Sequence, residues 1–269
     1  MNENCISSST DGAYKIAIGD RLRKCPSVKT LGLRPNFSDY TDEEKALIHR
    51  AEKIYYPTIF YADLFEIMGK PTFPSAHTYR FIQDKIKQTA LFDVLKIPHP
   101  RTRVFYGKRQ QLEITKYFSF PFIAKTPRTS DMGKGVFLIR NKKELEEYLS
   151  CNHAAYIQEY IPVSRDLRIV IIGYKPVIAF WRIAQEGEYR CNLAKGGGIC
   201  FDDIPRKALE LAVFTAKACK WDDTGIDIIF DGERFCVIEA NMRYGRKGFR
   251  HAGIEYAAMM EMMIQNGEI

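Results

Sequence analysis

Three oxygen-bearing side chains late in the chain, Asp227, Glu239 and Asn241, have the types and spacing to hold a hard divalent cation. Glu239 and Asn241 are two residues apart, so on a strand they share a face. Asp227 lies in a preceding apolar run among Ile226, Ile228 and Phe230, and whether it joins them depends on the turn near Asp231-Gly232. A two-residue type I′ turn would set Asp227 and Glu239 on opposite faces. A three-residue loop over Phe230 to Gly232, with Gly232 left-handed, sets residue 227 against residue 235 and gathers Asp227, Glu239 and Asn241 on one side. The other side then carries Ile226, Ile228, Phe230, Cys236, Ile238 and Ala240. Two converging carboxylates repel and need a cation between them, which suits Mg²⁺ bridging phosphates. The plain alternative is two solvated charges on an exposed strand face.

Cations and flexible backbone occur upstream. Lys125 ends the apolar run Pro121 to Ala124, and Gly133-Lys134-Gly135 follows within ten residues. Such a loop can aim N–H groups at phosphate oxygens while a strand-end lysine supplies charge. The plain alternative is a hairpin loop with a snorkelling lysine. No Gly-Lys-Ser/Thr opens a helix here, so this is not a Walker motif. Glu159 and Tyr160 close another run, with Asp166 and Arg168 just beyond. Strand-end backbone can meet adenine and an aspartate can accept from ribose, although a surface hairpin would look the same. Arg182, Arg190, Asn192 and Lys195 precede Gly196-Gly197-Gly198, a basic stretch with permissive backbone that could equally be a solvated loop.

The elements that must position these groups are legible as patterns. A strand is expected over Tyr14 to Ile18, then a helix capped by Thr41 with Asp42, Glu43 and Glu44 in its first turn. A second helix runs near Tyr61 to Met68 and stops at Gly69-Lys70-Pro71. A third, Thr78 to Lys96, sets Ile82, Ile86, Ala90, Leu91, Val94 and Leu95 on one face and ends before Pro98. Short apolar runs then indicate mostly antiparallel strands at 122–124, 136–139, 156–160, 168–172 and 176–183. A helix from Pro205 buries Leu209, Ala212, Val213 and Ala216, and the hairpin Gly225 to Asn241 follows. The class is α+β, a small N-terminal α/β piece followed by a sheet-rich region with helices on one side.

The 269 residues suffice for one large or two small domains, and 46% hydrophobic with 13% aromatic content excludes extensive disorder. Residues 1–11 are polar and Ser/Thr-rich and read as a disordered tail. Seven scattered cysteines show no Cys-x-x-Cys and no zinc-like spacing, which points to a reducing compartment. With no signal-like start and no membrane-length apolar run, the expected location is the cytoplasm, away from membranes. The net charge of +7 is spread along the chain, which disfavours nucleic acid as a partner.

The order of these motifs resembles the ATP-grasp superfamily, and within it the RimK-like carboxylate–amine ligases. The resemblance spans about residues 73–249. It begins with Asp84-Lys85, followed by Ile97-Pro98-His99-Pro100-Arg101-Thr102, which is similar to the family's Gly-Ile-Pro-x-Pro-x-Thr segment. It continues through Pro121 to Lys125 with the glycine loop, Gln158-Glu159-Tyr160-Ile161 and Asp166-Leu167-Arg168. It ends with Tyr189-Arg190-Cys191-Asn192-Leu193 and Gly225-Ile226-Asp227 paired with Glu239-Ala240-Asn241.

The resemblance implies an ATP-grasp fold, two α+β subdomains clasping ATP (a lid over about 103–160 and a C-terminal part over 161–269) after a small α/β domain over 12–102. It implies that Lys85 and Lys125 contact ATP phosphates, that Gly133, Lys134 and Gly135 close over them, that Glu159 and Tyr160 border adenine, and that Asp166 holds ribose. Arg182 and Asn192 join the nucleotide-binding set. Asp227, Glu239 and Asn241 hold Mg²⁺, with Mn²⁺ as a substitute. Arg168, Arg190 and Arg243 are the catalytic candidates: Arg168 and Arg190, with the Gly196 to Gly198 backbone, steady charge as ATP phosphorylates a carboxylate and an amine attacks the acylphosphate, while Arg243, outside the family pattern, could bind a substrate carboxylate or phosphate.

The partners expected are an acid, an amine and, as an open matter, a second copy of the chain. The alternatives are an ATP-grasp small-molecule kinase and a regulatory ATP-binding protein without turnover. Two departures stand out. Met242-Arg243-Tyr244-Gly245 replaces the family's small residue, Ser, Pro and Gly, which points to a different acceptor pocket, and the segment before Phe73 is shorter than the family's first domain.

Overall fold

The computed structural model describes residues 15–128, 135–185 and 198–269. Two compact units emerge: one takes in the described residues up to Phe73 with Ala257–Gly267, the other Pro74–Tyr256 with Glu268–Ile269. In the first, β1 (Lys15–Ala17), β2 (Val28–Thr30), β3 (Ile54–Tyr55) and β4 (Thr72–Phe73) form a parallel sheet in the order β2-β1-β3-β4. Helix α1 (Asp42–Arg50) starts where the sequence demands it. Thr41 accepts from the Glu44 N–H, Glu44 accepts from the Thr41 N–H, and three acidic residues fill the first turn. Helix α2 (Thr58–Ile67) follows β3, and Tyr61 and Phe65 bury against Ile16, Ile18 and Tyr40.

The second unit carries the chemistry. Helices α3 (Ala76–Tyr79) and α4 (Lys85–Leu95) replace the single helix expected over Thr78 to Lys96. Gln83 is left-handed, and the Asp84 carboxylate accepts from the Lys87 N–H, so a new helix starts with Lys85 in its first turn. The buried stripe is therefore Lys85, Gln88, Thr89 and Phe92, whereas Val94, expected inward, is 76% exposed. A face that looked apolar by spacing presents polar groups inward.

Strand β5 (Thr102–Tyr106), helices α5 (Gly107–Gln111) and α6 (Ile114–Tyr117), strands β6 (Phe122–Lys125) and β7 (Val136–Ile139), helix α7 (Lys142–Ser150) and strand β8 (Ala154–Glu159) make the first lobe of this unit. Its antiparallel sheet runs β5-β8-β6-β7 over a core of Phe105, Phe118, Phe122 and Leu145. The second lobe holds β9 (Arg165–Ile172), β10 (Lys175–Ile183), β11 (Gly198–Cys200), α8 (Arg206–Cys219), β12 (Asp223–Phe230), β13 (Phe235–Asn241) and α9 (Lys247–His251). Its sheet runs β11-β10-β9-β12-β13, antiparallel throughout. Helix α8 buries Ala208, Ala212, Thr215, Ala216 and Cys219, a stripe one residue off the Leu209 and Val213 pattern, and Trp221 fills the centre of that core.

The β12–β13 hairpin corrects the three-residue loop. Phe230 pairs with Phe235, and the Asp231 N–H donates to the Arg234 carbonyl, so four residues turn the chain. That register alone would put Asp227 opposite Ile238. A bulge places one extra residue in β13, and Asp227 pairs with Glu239 instead. The carboxylates share a face, as required, but through turn plus bulge, and Val237 takes the core place expected for Ile238.

Beyond the hairpin, Gly248 approaches Phe180 so closely that a Cβ would lie 2.2 Å from the ring. Gly248→Ala is expected to lower the unfolding free energy by about 1–3 kcal/mol, read as a lower midpoint in urea denaturation.

Candidate active site

Strands β9, β10 and β12 bring two buried carboxylates and two half-buried guanidinium groups together. Asp227, on β12, stands beside Arg168 of the neighbouring β9. The Arg168 Nε donates to Asp227 Oδ1 and its Nη2 donates to Oδ2 at 2.8 Å. Arg182, on β10, grips Asp166 with Nε to Oδ1 at 2.6 Å and Nη2 to Oδ2 at 2.8 Å, and the same Nη2 lies 2.9 Å from Asp227 Oδ2. These forked contacts hold planar partners in fixed orientation. Gly225 makes room for them, since a Cβ there would sit 3.1 Å from Arg168 Cδ and 3.0 Å from Tyr244 Cβ.

Burial alone would raise the Asp227 carboxyl, but Arg168 and Arg182 outweigh it and hold the group below its ordinary range. Asp166 is raised by burial, with Arg182 opposing and the Asp227 charge adding to the rise. Burial works against the Arg182 charge, yet Asp166 and Asp227 keep the guanidinium firmly protonated.

Two lysines approach the same face. Lys85, 5% exposed in the first turn of α4, places Nζ 3.4 Å from Glu239 Oε1. Lys125 ends β6 and is 4% exposed, with Nζ 5.8 Å from the Tyr156 ring centroid. Burial pulls its ammonium down to about 8, Lys85 pushes the same way, and Glu239, Asp227 and Asp166 oppose. Among the described residues, four cations (Lys85, Lys125, Arg168, Arg182) thus share a site with three carboxylates (Asp166, Asp227, Glu239), an imbalance that favours an incoming polyanion.

The oxygen set meets the requirements of Mg²⁺. Three donors fill three of the about four acceptor positions of the Asp227 carboxylate, leaving one. Glu239 is half-buried with Lys85 beside it, and Asn241 Oδ1 accepts one hydrogen bond, from the Arg243 N–H at 2.9 Å. Among the described residues no group of three His, Cys, Asp or Glu side chains could hold a metal. One or two carboxylates, an amide and substrate phosphates are what Mg²⁺ ordinarily takes, rather than a closed protein cage.

The other expected residues sit as follows. Glu159, at the end of β8, accepts from the Arg101 N–H at 2.6 Å, and Tyr160 follows it, half-buried. Gly135 closes the base of the glycine loop by accepting from the Thr126 N–H at 2.7 Å. Arg243 is exposed beside Asn241. Gly133, Lys134, Arg190 and Asn192 lie outside the described residues. Two buried groups not singled out by spacing also belong here. Thr89 bonds the Tyr156 hydroxyl at 2.6 Å, and Gln88 bonds the Ala240 backbone between Glu239 and Asn241. The available signal was polar residues at helical spacing from Lys85 on α4.

No thiol competes as nucleophile among the described cysteines of this lobe's core. Burial pushes Cys219 up to about 12 and Cys236 up to about 11, so both stay protonated at neutral pH. No helix among the described residues is long and apolar enough to cross a membrane.

A family model described as the RimK-like ATP-grasp domain matches residues 82–264. A probable alpha-L-glutamate ligase of Enterobacter sp. (strain 638) is 26% identical over 209 residues, which is 75% of this chain and 69% of that protein. The beta-citrylglutamate synthase B of Homo sapiens is 29% identical over 165 residues, 58% of this chain and 42% of that one. The crystal structure of a RimK domain ATP-grasp protein from Sphaerobacter thermophilus DSM 20745 superposes with a TM-score of 0.69 at 15% identity, covering 93% of this chain and 98% of its own.

The forced ammonium of Lys125 has a consequence for stability. Its folded value, about 8, lies below the ordinary 10.5, so the cost is complete below pH 8 and is relieved as pH rises toward 10.5. Lys125→Met is expected to stabilise the nucleotide-free protein by roughly 1–3 kcal/mol at pH 7. Urea titrations at pH 7 and pH 10 should show that advantage shrinking at the higher pH.

Proposed function

This chain belongs to the RimK-like ATP-grasp family, and from that premise we propose how its residues carry out ATP-dependent joining of a carboxylate to an amine. The chain is an enzyme of that ligase class, as are the proteins it resembles. One observation carries the assignment of the site: Asp227 and Glu239 are cross-strand partners, and Lys85 and Lys125 are buried against the same face.

In the proposed reaction the acid's carboxylate oxygen attacks the γ-phosphorus of ATP. The bond between that phosphorus and the bridging oxygen of ADP breaks, and an acylphosphate forms. The neutral amine then attacks the acyl carbon, the carbon–oxygen bond to phosphate breaks, and inorganic phosphate leaves with the proton that the nitrogen gives up. The protein supplies position and charge and no covalent nucleophile. Lys85 and Lys125 hold phosphate oxygens, and the low Lys125 value rises again once phosphate charge is beside it. Arg168 and Arg182 fix the Asp227 carboxylate, and Arg168 also faces the charge that develops during transfer. Arg190 and the glycine-rich backbone at 196–198 join it in that role, while Asn192 belongs with the nucleotide. Glu159 and Tyr160 border the base.

Asp227, Glu239 and Asn241 would hold Mg²⁺, or Mn²⁺ in its place, which supplies Lewis-acid screening of the phosphate charge. Asp166 keeps a place in this scheme through Arg182, and its remaining acceptor capacity is open to ribose.

The substrates are also inferred. The enterobacterial relative is described as a glutamate ligase and the human one as making citrylglutamate, which favours an amino acid as amine and an acid with more than one anionic group. The chain's own residues agree with the second point. Arg243, Arg246, Lys247 and Arg250 are exposed in a stretch without an acidic residue from Ala240 to Ile254. Buried Tyr244 and Phe249 hold that stretch, the former donating its hydroxyl proton to Asp223 at 2.5 Å.

Purified protein with ATP, Mg²⁺ and panels of acids and amines should release phosphate only when a suitable pair is present. Hydroxylamine in place of the amine should yield a hydroxamate; a stable phosphate ester would mean a kinase instead, and no turnover a regulatory ATP-binding protein. Asp227→Asn and Glu239→Gln are each expected to lower the rate at least about a hundredfold. Arg243→Ala should raise the KM for the acid about tenfold with little change in kcat, the loss of one charge-assisted hydrogen bond common to ground and transition states.

A further inference from the structure

We infer that Gln88 is a positioning residue for the metal-holding strand, a clamp that sets the directions of Glu239 and Asn241 through the backbone between them. The inference rests on the assignment of those two side chains to Mg²⁺. Gln88 lies on α4, 2% exposed. Its Oε1 accepts from the Ala240 N–H at 3.0 Å, and its Nε2 donates to the Ala240 carbonyl at 2.8 Å and to the Phe81 carbonyl at 3.0 Å. The orientation of the amide is determined by these partners, since a flipped group would face an N–H with its own NH₂ and two carbonyls with its oxygen.

The geometry explains why this contact reaches the ligands. In the strand order β11-β10-β9-β12-β13, β13 stands last, so among the described residues one of its edges has no neighbouring strand in the ladder. The side-chain amide takes the part of a missing strand's peptide at Ala240. The Ala240 N–H belongs to the peptide plane shared with Glu239, and the Ala240 carbonyl belongs to the plane shared with Asn241. Holding both planes fixes φ and ψ of Ala240 and places the Glu239 and Asn241 Cα atoms, while the pairing of those two residues with Asp227 and Gly225 on β12 holds their other sides. The direction of each Cα–Cβ bond on the site face follows, while the Ala240 methyl is anchored in the core behind. Mg²⁺ demands ligands near 2.0–2.1 Å in octahedral directions and tolerates little drift.

Neighbouring residues on the same helix face support the role. Lys85, one turn earlier, lies 3.4 Å from the Glu239 carboxylate, and Thr89 bonds Tyr156, whose ring is beside Lys125. A single helix thus meets the Glu239 carboxylate, the peptide that follows it and the tyrosine beside Lys125. Farther along the same strand, the Val237 N–H donates to the backbone carbonyl of Pro98, so covering the edge does not in itself require a side chain.

The test uses the full chain and Mn²⁺ as probe, followed by electron paramagnetic resonance at saturating ADP, with melting temperatures taken separately without metal. Gln88→Met keeps length and removes the amide; Gln88→Glu keeps an acceptor for the Ala240 N–H and removes the donors. The expected result is a Mn²⁺ dissociation constant raised about tenfold in either folded variant. The ligase rate should recover at high Mg²⁺, a shift in metal requirement rather than in kcat. A folded variant that binds Mn²⁺ within twofold of wild type overturns the inference even if it melts earlier, because the clamp is then structural only. If neither variant folds, the amide serves the strand itself and the positioning role is likewise overturned. Should wild type bind no Mn²⁺ with ADP, the metal assignment of Glu239 and Asn241 fails, an outcome separate from any difference between wild type and variant.

Discussion

Asp227 can stay ionised in the interior of the second lobe because Arg168 and Arg182 meet it from the two next strands of the same sheet. Removing one partner from such a buried pair leaves an uncompensated charge, which is far costlier than the intact pair is stabilising. The register of β9, β10 and β12 is therefore tied to the chemistry. A one-residue slip of any of these strands would turn a charged group into the hydrophobic core and an isoleucine into the site. Gly225 follows from the same constraint, since the Arg168 side chain crosses the space that a Cβ would occupy.

The network does not serve stability first. Lys125 remains charged at neutral pH only against the cost of burial, and Lys85 faces it across the site. Among the described residues, four cations close together with three carboxylates make a site that is incomplete by charge until an anion arrives. Such a site strengthens every contact to a phosphate because water is largely excluded and the donors are already in place. The local stability forgone there is available as binding energy for an anion.

Helix α4 connects these parts mechanically. Its interior-facing stripe is Lys85, Gln88, Thr89 and Phe92, with three polar members meeting a carboxylate, a strand edge and a tyrosine of the other lobe. Buried polar groups at these positions are tolerated because each finds a partner. The first unit is a parallel sheet with its own aromatic core.

The amino-acid sequence by itself determined the kinds of element and the inventory of reactive groups. Apolar alternation marked the strands, Thr41 with Glu44 marked a helix start, and the ordered motifs from Asp84-Lys85 to Glu239-Ala240-Asn241 pointed to a nucleotide-dependent ligase. These signals are local, carried by propensity, capping and spacing that act within a few residues. Tertiary structure decided which groups meet. A bulge in β13 sets Glu239 opposite Asp227, a left-handed Gln83 restarts α4 so that its polar face turns inward, and paired strands deliver Arg168 and Arg182 to one carboxylate. None of this is written in residue spacing, because bulges, helix breaks and cross-strand neighbours are chosen by packing between segments far apart in the chain, where a shift of one residue changes every partner.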